Sequence, residues 1–274
     1  MPKEKPELSD AMRKKLSGSS REKKPIKGTK FTIAISSAKG GVGKSTFATN
    51  LALALKQNDC KVGLLDADIY GPSIPKMFGI NEKPKSDGQK LEPVIKYDIQ
   101  CMSIGFLADE KTPMIWRGPM VTSAIKTFTQ QVNWKDLDFI IVDMPPGTGD
   151  AQLTFSQGIE MDGAIIVSTP QEVALLDVKR GIKMFDKLNV KVLGLIDNMS
   201  FFVGDDGKRY NIFGEGGVKK TAEEFNKDFL GEIPINPDVG KQGDLGLPIV
   251  EKDPQNEISK IYLDLAKKLK SIFF

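Results

Sequence analysis

Histidine is missing altogether from this 274-residue chain. That excludes a Ser-His-Asp triad, a Cys-His pair and any His-ligated metal. Cysteine is nearly missing: the sequence has Cys60 and Cys101, in unrelated contexts, with no CxxC pair and no disulfide framework. Acid–base chemistry is left to carboxylates and lysines, an inventory that suits phosphate chemistry. No apolar run approaches the length needed to span a bilayer. The opening MPKEKPELSD has no apolar signal-peptide core, so the expected compartment is the cytoplasm.

What is present is unevenly spread. The formal net charge is +3, but residues 1–30 hold ten Lys/Arg against four Asp/Glu, a local +6 that leaves −3 for the remainder. Residues 1–29, rich in Lys, Glu, Ser and Pro and without periodicity, read as a flexible basic arm. The arm has no Phe, Tyr or Trp to stack on bases, so no nucleic-acid partner is expected. From Lys30 to Phe274 apolar runs alternate with helical stretches. Strands are predicted at Phe31–Ser36, Val62–Leu65, Phe139–Val142, Ala164–Ser168 and Val192–Ile196. Helices are predicted at Ser45–Gln57, Val121–Val132 and Val173–Leu188, with an edge or insertion around Lys90–Phe106. Such alternation predicts one α/β domain, a mostly parallel central sheet with helices on both faces.

The first strand runs into Ala38-Lys39-Gly40-Gly41-Val42-Gly43-Lys44-Ser45-Thr46 and then a helix. Glycines let successive backbone N–H groups point inward at a phosphate, and the helix start adds partial positive charge. Lys44 reaches the β- and γ-phosphates of ATP, and the Ser45 hydroxyl ligates Mg²⁺. Ala38 replaces the first glycine of G-x-x-x-x-G-K-[ST], whereas the variant K-G-G-x-G-K-[ST] fits without a gap. The chain therefore reads as a P-loop NTPase and a Mg-dependent ATPase. Acidic residues end two further strands, where open α/β sheets bind ligands. Asp143 takes the Walker B place on Mg²⁺, and Asp68 is the candidate for orienting the attacking water. Asp66 stays open between a functional role at the strand end and a helix-cap or turn residue.

The second lysine of the loop resembles the deviant Walker A class. That resemblance implies that Lys39 reaches across a homodimer to the partner's nucleotide; the other reading is a solvated loop lysine. Longer strings narrow the likeness: DADIYGPSIPKMFG (Asp66–Gly79), PMIWRGPM (Pro113–Met120), DMPPGTGD (Asp143–Asp150), STPQEVALLDVKRG (Ser168–Gly181), DNMSFF (Asp197–Phe202), IFGEGG (Ile212–Gly217) and GDLGLPIV (Gly243–Val250). Together they resemble the Mrp/ApbC family from about Lys30 to the C-terminus. The resemblance implies a cytoplasmic homodimeric ATPase that carries iron–sulfur clusters to apoproteins. It further implies that Asn198 reads the adenine and that Asp66–Gly79 and Asp143–Asp150 are nucleotide-sensing switches.

One departure is plain. Many members carry a CxxC after the NMS motif, and here Phe202 to Tyr210 holds no cysteine, so the iron–sulfur ligands are unknown. Cys60 and Cys101 read as small core residues. The alternative reading is an ATP-switched dimeric scaffold or localisation ATPase without metal cargo. Its amphipathic last helix, with Ile258, Ile261, Leu265, Leu269 and Ile272 on one stripe, would then meet a membrane. The expectation is that this helix packs on the domain and that no membrane is bound. Trp116-Arg117 is a candidate partner-facing element.

Overall fold

The computed structural model describes residues 23–107 and 118–274. Eleven strands appear in order: β1 (Thr29–Ser36), β2 (Val62–Asp66), β3 (Lys85–Ser86), β4 (Leu91–Glu92), β5 (Val94–Lys96), β6 (Ile99–Ser103), β7 (Leu137–Asp143), β8 (Gly163–Ser168), β9 (Val192–Val203), β10 (Arg209–Tyr210) and β11 (Phe229–Ile235). The helices are α1 (Lys44–Gln57), α2 (Ile74–Met77), α3 (Gly118–Lys126), α4 (Asp150–Gly158), α5 (Glu172–Lys187), α6 (Gly217–Glu224), α7 (Pro237–Asp244), α8 (Ile249–Lys252) and α9 (Glu257–Phe273).

Nine strands form one sheet in the order β10-β9-β8-β1-β7-β2-β6-β5, with β11 also on β9. From β8 to β6 every neighbouring pair is parallel. The central strands are apolar throughout because helices cover both faces. Along β1, Ile33 and Ile35 enter the core under α1, α8 and α9, while Ala34 enters the core under α3, α4 and α5. β1 is flanked by β7 and β8, so connections leave it in opposite directions and open a crevice at its carboxyl end.

Several expectations need correction. Residues 23–29, expected as the end of a flexible arm, are docked. Lys24 N donates to Gly158 O at 3.1 Å, its carbonyl accepts from Glu160 N at 2.9 Å, and Ile26 is fully buried. Residues 1–22 of that arm, and Trp116-Arg117, lie outside the described residues. β9 runs seven residues beyond its predicted end at Ile196, through the polar Asp197-Asn198 to Val203. Pairing with β11 and β10 holds that extension, so tertiary partners override local propensity. The predicted helix Val121–Val132 splits into α3 and a π turn at Thr127–Gln131. There the Thr129 hydroxyl donates to Ile125 O at 2.8 Å, a back-bond that bends helices. The edge expected around Lys90–Phe106 is present as the antiparallel pair β5–β6, and a β3–β4 hairpin beginning at Lys85 leads into it.

The last helix packs onto the domain as expected. Asn256 caps it, its Oδ1 accepting from Ile258 N at 2.9 Å. Ile258, Tyr262, Leu265 and Leu269 are buried against α1, while Ile272 stays 46% exposed. Phe273 and Phe274 close the far end of the sheet around Phe31 and Phe139, with ring centroids 4.7–5.8 Å apart. No helix among the described residues is long and apolar enough to cross a membrane.

Candidate nucleotide site

The loop after β1 turns back through Gly41 (φ +81°) and Gly43 (φ +83°), a backbone region that L side chains rarely enter. A Cβ on Gly43 would also collide with the Asn198 amide. α1 begins at Lys44 with no side-chain cap, so its first N–H groups remain available to an anion. Ala38, in the generic glycine position, packs its methyl against the core beneath the loop. Two contacts brace the entry: Ser37 Oγ donates to Lys39 O and Ser37 O accepts from Gly147 N, each at 2.8 Å. The second ties the phosphate loop to the loop after β7.

Register brings the acidic strand ends together, since Asp143 pairs with Ile35 on one side and Asp66 on the other. Lys44, 6% exposed, lies between carboxylates: its Nζ is 2.5 Å from Asp143 Oδ1 and 3.3 Å from Asp68 Oδ2, and donates to Ser45 Oγ at 3.4 Å. One buried ammonium is thus paired with two buried carboxylates, and a third, Asp66, lies beside Asp143. Burial pushes Asp66 up to about 8, with the neighbouring Asp143 charge adding to it. Burial likewise raises Asp143, against the pull of Lys44. Asp143 Oδ2 is buried with no hydrogen-bond partner. A site with surplus carboxylate and an orphaned oxygen fits a divalent cation such as Mg²⁺. Asp66 is also a brace, because its Oδ1 accepts from Asp68 N, and its Oδ2 from Ile74 N and Ser103 Oγ, at 3.0–3.2 Å. It thereby fixes both ends of the segment that carries Asp68.

A cavity of about 460 Å³ opens beside the loop and holds Lys39, Gly40, Gly41, Gly43, Lys44, Ser45, Thr46 and Asp68 on one wall. Asn198 stands behind that wall, its Nδ2 donating to Val42 O at 2.7 Å, so its present contact is with the loop. The opposite wall comes from α2 (Lys76, Met77), inside the Asp66–Gly79 segment expected as a switch, and from α7 (Val239, Gly240, Gly243, Asp244), which the sequence alone did not assign to the site. A signal for α7 was present in Asn236-Pro237, a cap followed by proline at the first helical position.

The two jaws are joined below the cavity by Gly79 and Gly246. A Cβ on Gly246 (φ +73°) would stand 2.7 Å from Gly79 Cα, and Tyr97 Oη donates to Gly246 O at 2.7 Å. Gly246→Ala is expected to cost roughly 1–3 kcal/mol from strain at positive φ and to part α2 from α7. Thermal melts should fall and the ATP Kd rise together. An unchanged Kd would mean that the jaws are independent.

Asp197, next to Asn198, is 1% exposed and neither carboxylate oxygen has a partner. Burial, with Glu232 opposite it in β11, pushes its pKa up to about 7. The folded form therefore holds a proton that the unfolded chain releases, so this group's contribution to stability falls as pH climbs from the usual carboxylate range to about 7. Asp197→Asn should raise stability at pH 8 by on the order of 1 kcal/mol and by less at pH 5. Equal wild-type-to-variant gaps in melting temperature at both pH values would contradict this.

The profile of the NUBPL iron-transfer P-loop NTPases, within the ParA group, matches residues 28–270. The chain belongs to this family. Among its relatives, the iron-sulfur cluster carrier protein of Aquifex aeolicus is 48% identical over 254 residues, 91% of this chain and 70% of that protein. The iron-sulfur cluster transfer protein NUBPL of Mus musculus is 48% identical across 90% of this chain and 79% of its own length. A solved nucleotide-binding protein of Archaeoglobus fulgidus, in complex with ADP, superposes with a TM-score of 0.71 at 41% identity, covering 80% of this chain and 87% of that one. The cell-division ATPase MinD of Pyrococcus furiosus gives 0.67 at 19% identity, covering 88% and 99%, a likeness of fold alone. As a member of the NUBPL family this chain is a nucleotide-binding P-loop NTPase, and the iron–sulfur transfer reading stands over the localisation one.

Proposed function

We propose that this chain is a Mg-dependent ATPase, working as a homodimer in the cytoplasm, whose nucleotide cycle drives iron–sulfur cluster transfer to apoproteins. The observation that carries the reading is Lys44 buried between Asp143 and Asp68 at the head of a glycine loop. Backbone N–H groups from Gly40 to Ser45 and the start of α1 would cradle the phosphates. Lys44 would leave its carboxylates for a phosphate oxygen and so release Asp68 to orient the attacking water and accept its proton. Ser45 and Asp143 would hold Mg²⁺, which offsets charge on the β,γ-bridge when bound. Lys39 lines the cavity from the outer loop, and no ion pair engages it among the described residues, so it is free to serve a facing subunit's nucleotide. There it would stabilise charge on the transferred phosphoryl group. Asn198 would read the adenine with the amide edge left over from its bond to Val42 O.

The reading is supported by the names of the relatives, which are cluster carrier and transfer proteins. It is tested by phosphate release with Mg-ATP, with ATP plus chelator, and after mixing Lys39→Ala with Lys44→Ala subunits. Turnover should require Mg²⁺. The mixture should regain part of the activity each variant lacks, because one composite site keeps both lysines. Turnover that survives Lys39→Ala unchanged would remove the dimer from the mechanism, and nucleotide binding without any turnover would remove the ATPase.

A further inference from the structure

Clusters of iron and sulfide are held by thiolates and less often by imidazoles. Two cysteines per chain and no histidine mean that a symmetric pair of subunits brings four sulfurs, enough by number for one cubane. Their positions defeat this. Cys60 closes the turn between α1 and β2, and its Sγ contacts Asn58 O at 3.7 Å. Cys101 lies in the middle of β6, registered between Leu64 and Val94, with its Sγ 3.6 Å from Ile99 O. They are 6% and 1% exposed and belong to one hydrophobic core. Burial also pushes both thiols up, whereas the ligating form is the thiolate. Bringing either sulfur to a subunit surface would pull β6 or the α1–β2 turn out of that core.

Other donors do not fill the gap. Among the described residues no three Cys, Asp or Glu side chains gather closely enough to hold a metal ion by themselves, and the carboxylates beside Lys44 are engaged by that lysine at the nucleotide site. Residues 1–22 and 108–117 contain no cysteine either. We infer that this chain contributes no ligand to the cluster it helps to move: the thiolates belong wholly to the proteins that bring and receive it, and the chain supplies the ATP-driven change of shape between them. This rests on the iron–sulfur reading above. The transfer is then a ligand exchange. Each iron–sulfur bond to a donor cysteine breaks as one to an acceptor cysteine forms, acceptor thiols lose protons that donor thiolates take up, and no electron changes hands. The chain's part in it is to hold donor and acceptor in register for one nucleotide state.

The test has two arms. In the first, the full chain and a Cys60→Ser/Cys101→Ser variant are incubated anaerobically with ferrous iron and sulfide, desalted, and assayed for iron, sulfide and visible absorption. Neither protein should retain a cluster. Stoichiometric cluster on the wild type overturns the inference, whether the variant loses it (buried sulfurs do ligate) or keeps it (oxygen ligands serve). The wild-type result alone decides if the variant misfolds, and a Cys→Ala pair provides a second check. In the second arm, cluster-loaded carrier protein from Escherichia coli, a 47% identical relative, is the donor and an apo-enzyme of the [4Fe–4S] class the acceptor. ATP with this chain should speed transfer several-fold, equally for wild type and variant. An acceleration seen with wild type and lost in a folded, ATP-hydrolysing variant overturns the inference. No acceleration with either protein sinks the iron–sulfur reading itself, and the inference falls with it.

Discussion

Replacing Lys44 by alanine will stop ATP turnover and also destabilise the nucleotide-free protein. The catalytic loss follows from removing the cation that meets the phosphates, and should exceed about 10²-fold. The stability loss follows from what remains: Asp143, fully buried, with one oxygen already orphaned and the other stripped of its partner at 2.5 Å. Breaking a buried pair by removing one partner costs about 3–5 kcal/mol, an upper figure here because Asp143 can take up a proton instead. The sign with pH is fixed by that escape. Asp143 is already raised by burial, and without Lys44 it is raised further, so the penalty is greatest well above the usual carboxylate range and fades as pH falls into it. Adding Asp143→Asn should restore the melting temperature without restoring turnover. A Lys44→Ala protein that melts like wild type at pH 8 would show that this pair does not hold the empty site together.

Asp68→Asn separates chemistry from binding. Asp68 sits 3.3 Å from Lys44 Nζ, and its Oδ1 accepts from Tyr70 N at 3.0 Å, so its backbone loop and its partner are both defined before nucleotide arrives. An amide keeps the shape and loses the base. Phosphate release should fall by about 10²–10⁴, while ATP should bind as well or better, since Lys44 then has one carboxylate fewer to leave. Calorimetric titration beside a steady-state assay reads the two effects apart. Parallel losses in Kd and turnover would make Asp68 a binding residue and leave the attacking water without its orienting group.

The parts of this molecule legible in the sequence are those where one local rule decides the outcome. Five buried strands announced themselves as apolar runs, and the phosphate loop as a glycine pattern between strand and helix. The strand ends at Asp66 and Asp143 followed from the same runs. What could not be read depends on partners distant in the chain. Asp197 and Asn198 look like a strand terminus until β11 pairs with them. α7 carries no phosphate-binding signature and enters the site through contacts with the α2 segment, Gly246 on Gly79 and Asp244 on Lys76. Tyr97 and Asp98, at φ +51° and +58°, form the tight β5–β6 turn, where Asp is an ordinary turn residue but Tyr is not one that composition would select. The docking of residues 23–29 rests on an edge contact with Ile159, invisible to any local window.

The place of β1 in the sheet sets an order of events during synthesis. It is the first strand among the described residues, yet its two neighbours are β7 and β8: Thr29 waits for Leu137, and Ile33 for Gly163. Parallel pairing across so long an intervening segment has a large loop-closure cost and is slow. A nascent chain halted before β8 therefore carries a complete phosphate-loop sequence on a strand with one flank unpaired. A ribosome-bound fragment ending before residue 163 should therefore fail to retain nucleotide while exposing a hydrophobic edge to chaperones, and retention of ATP by it would make the nucleotide an early template for folding.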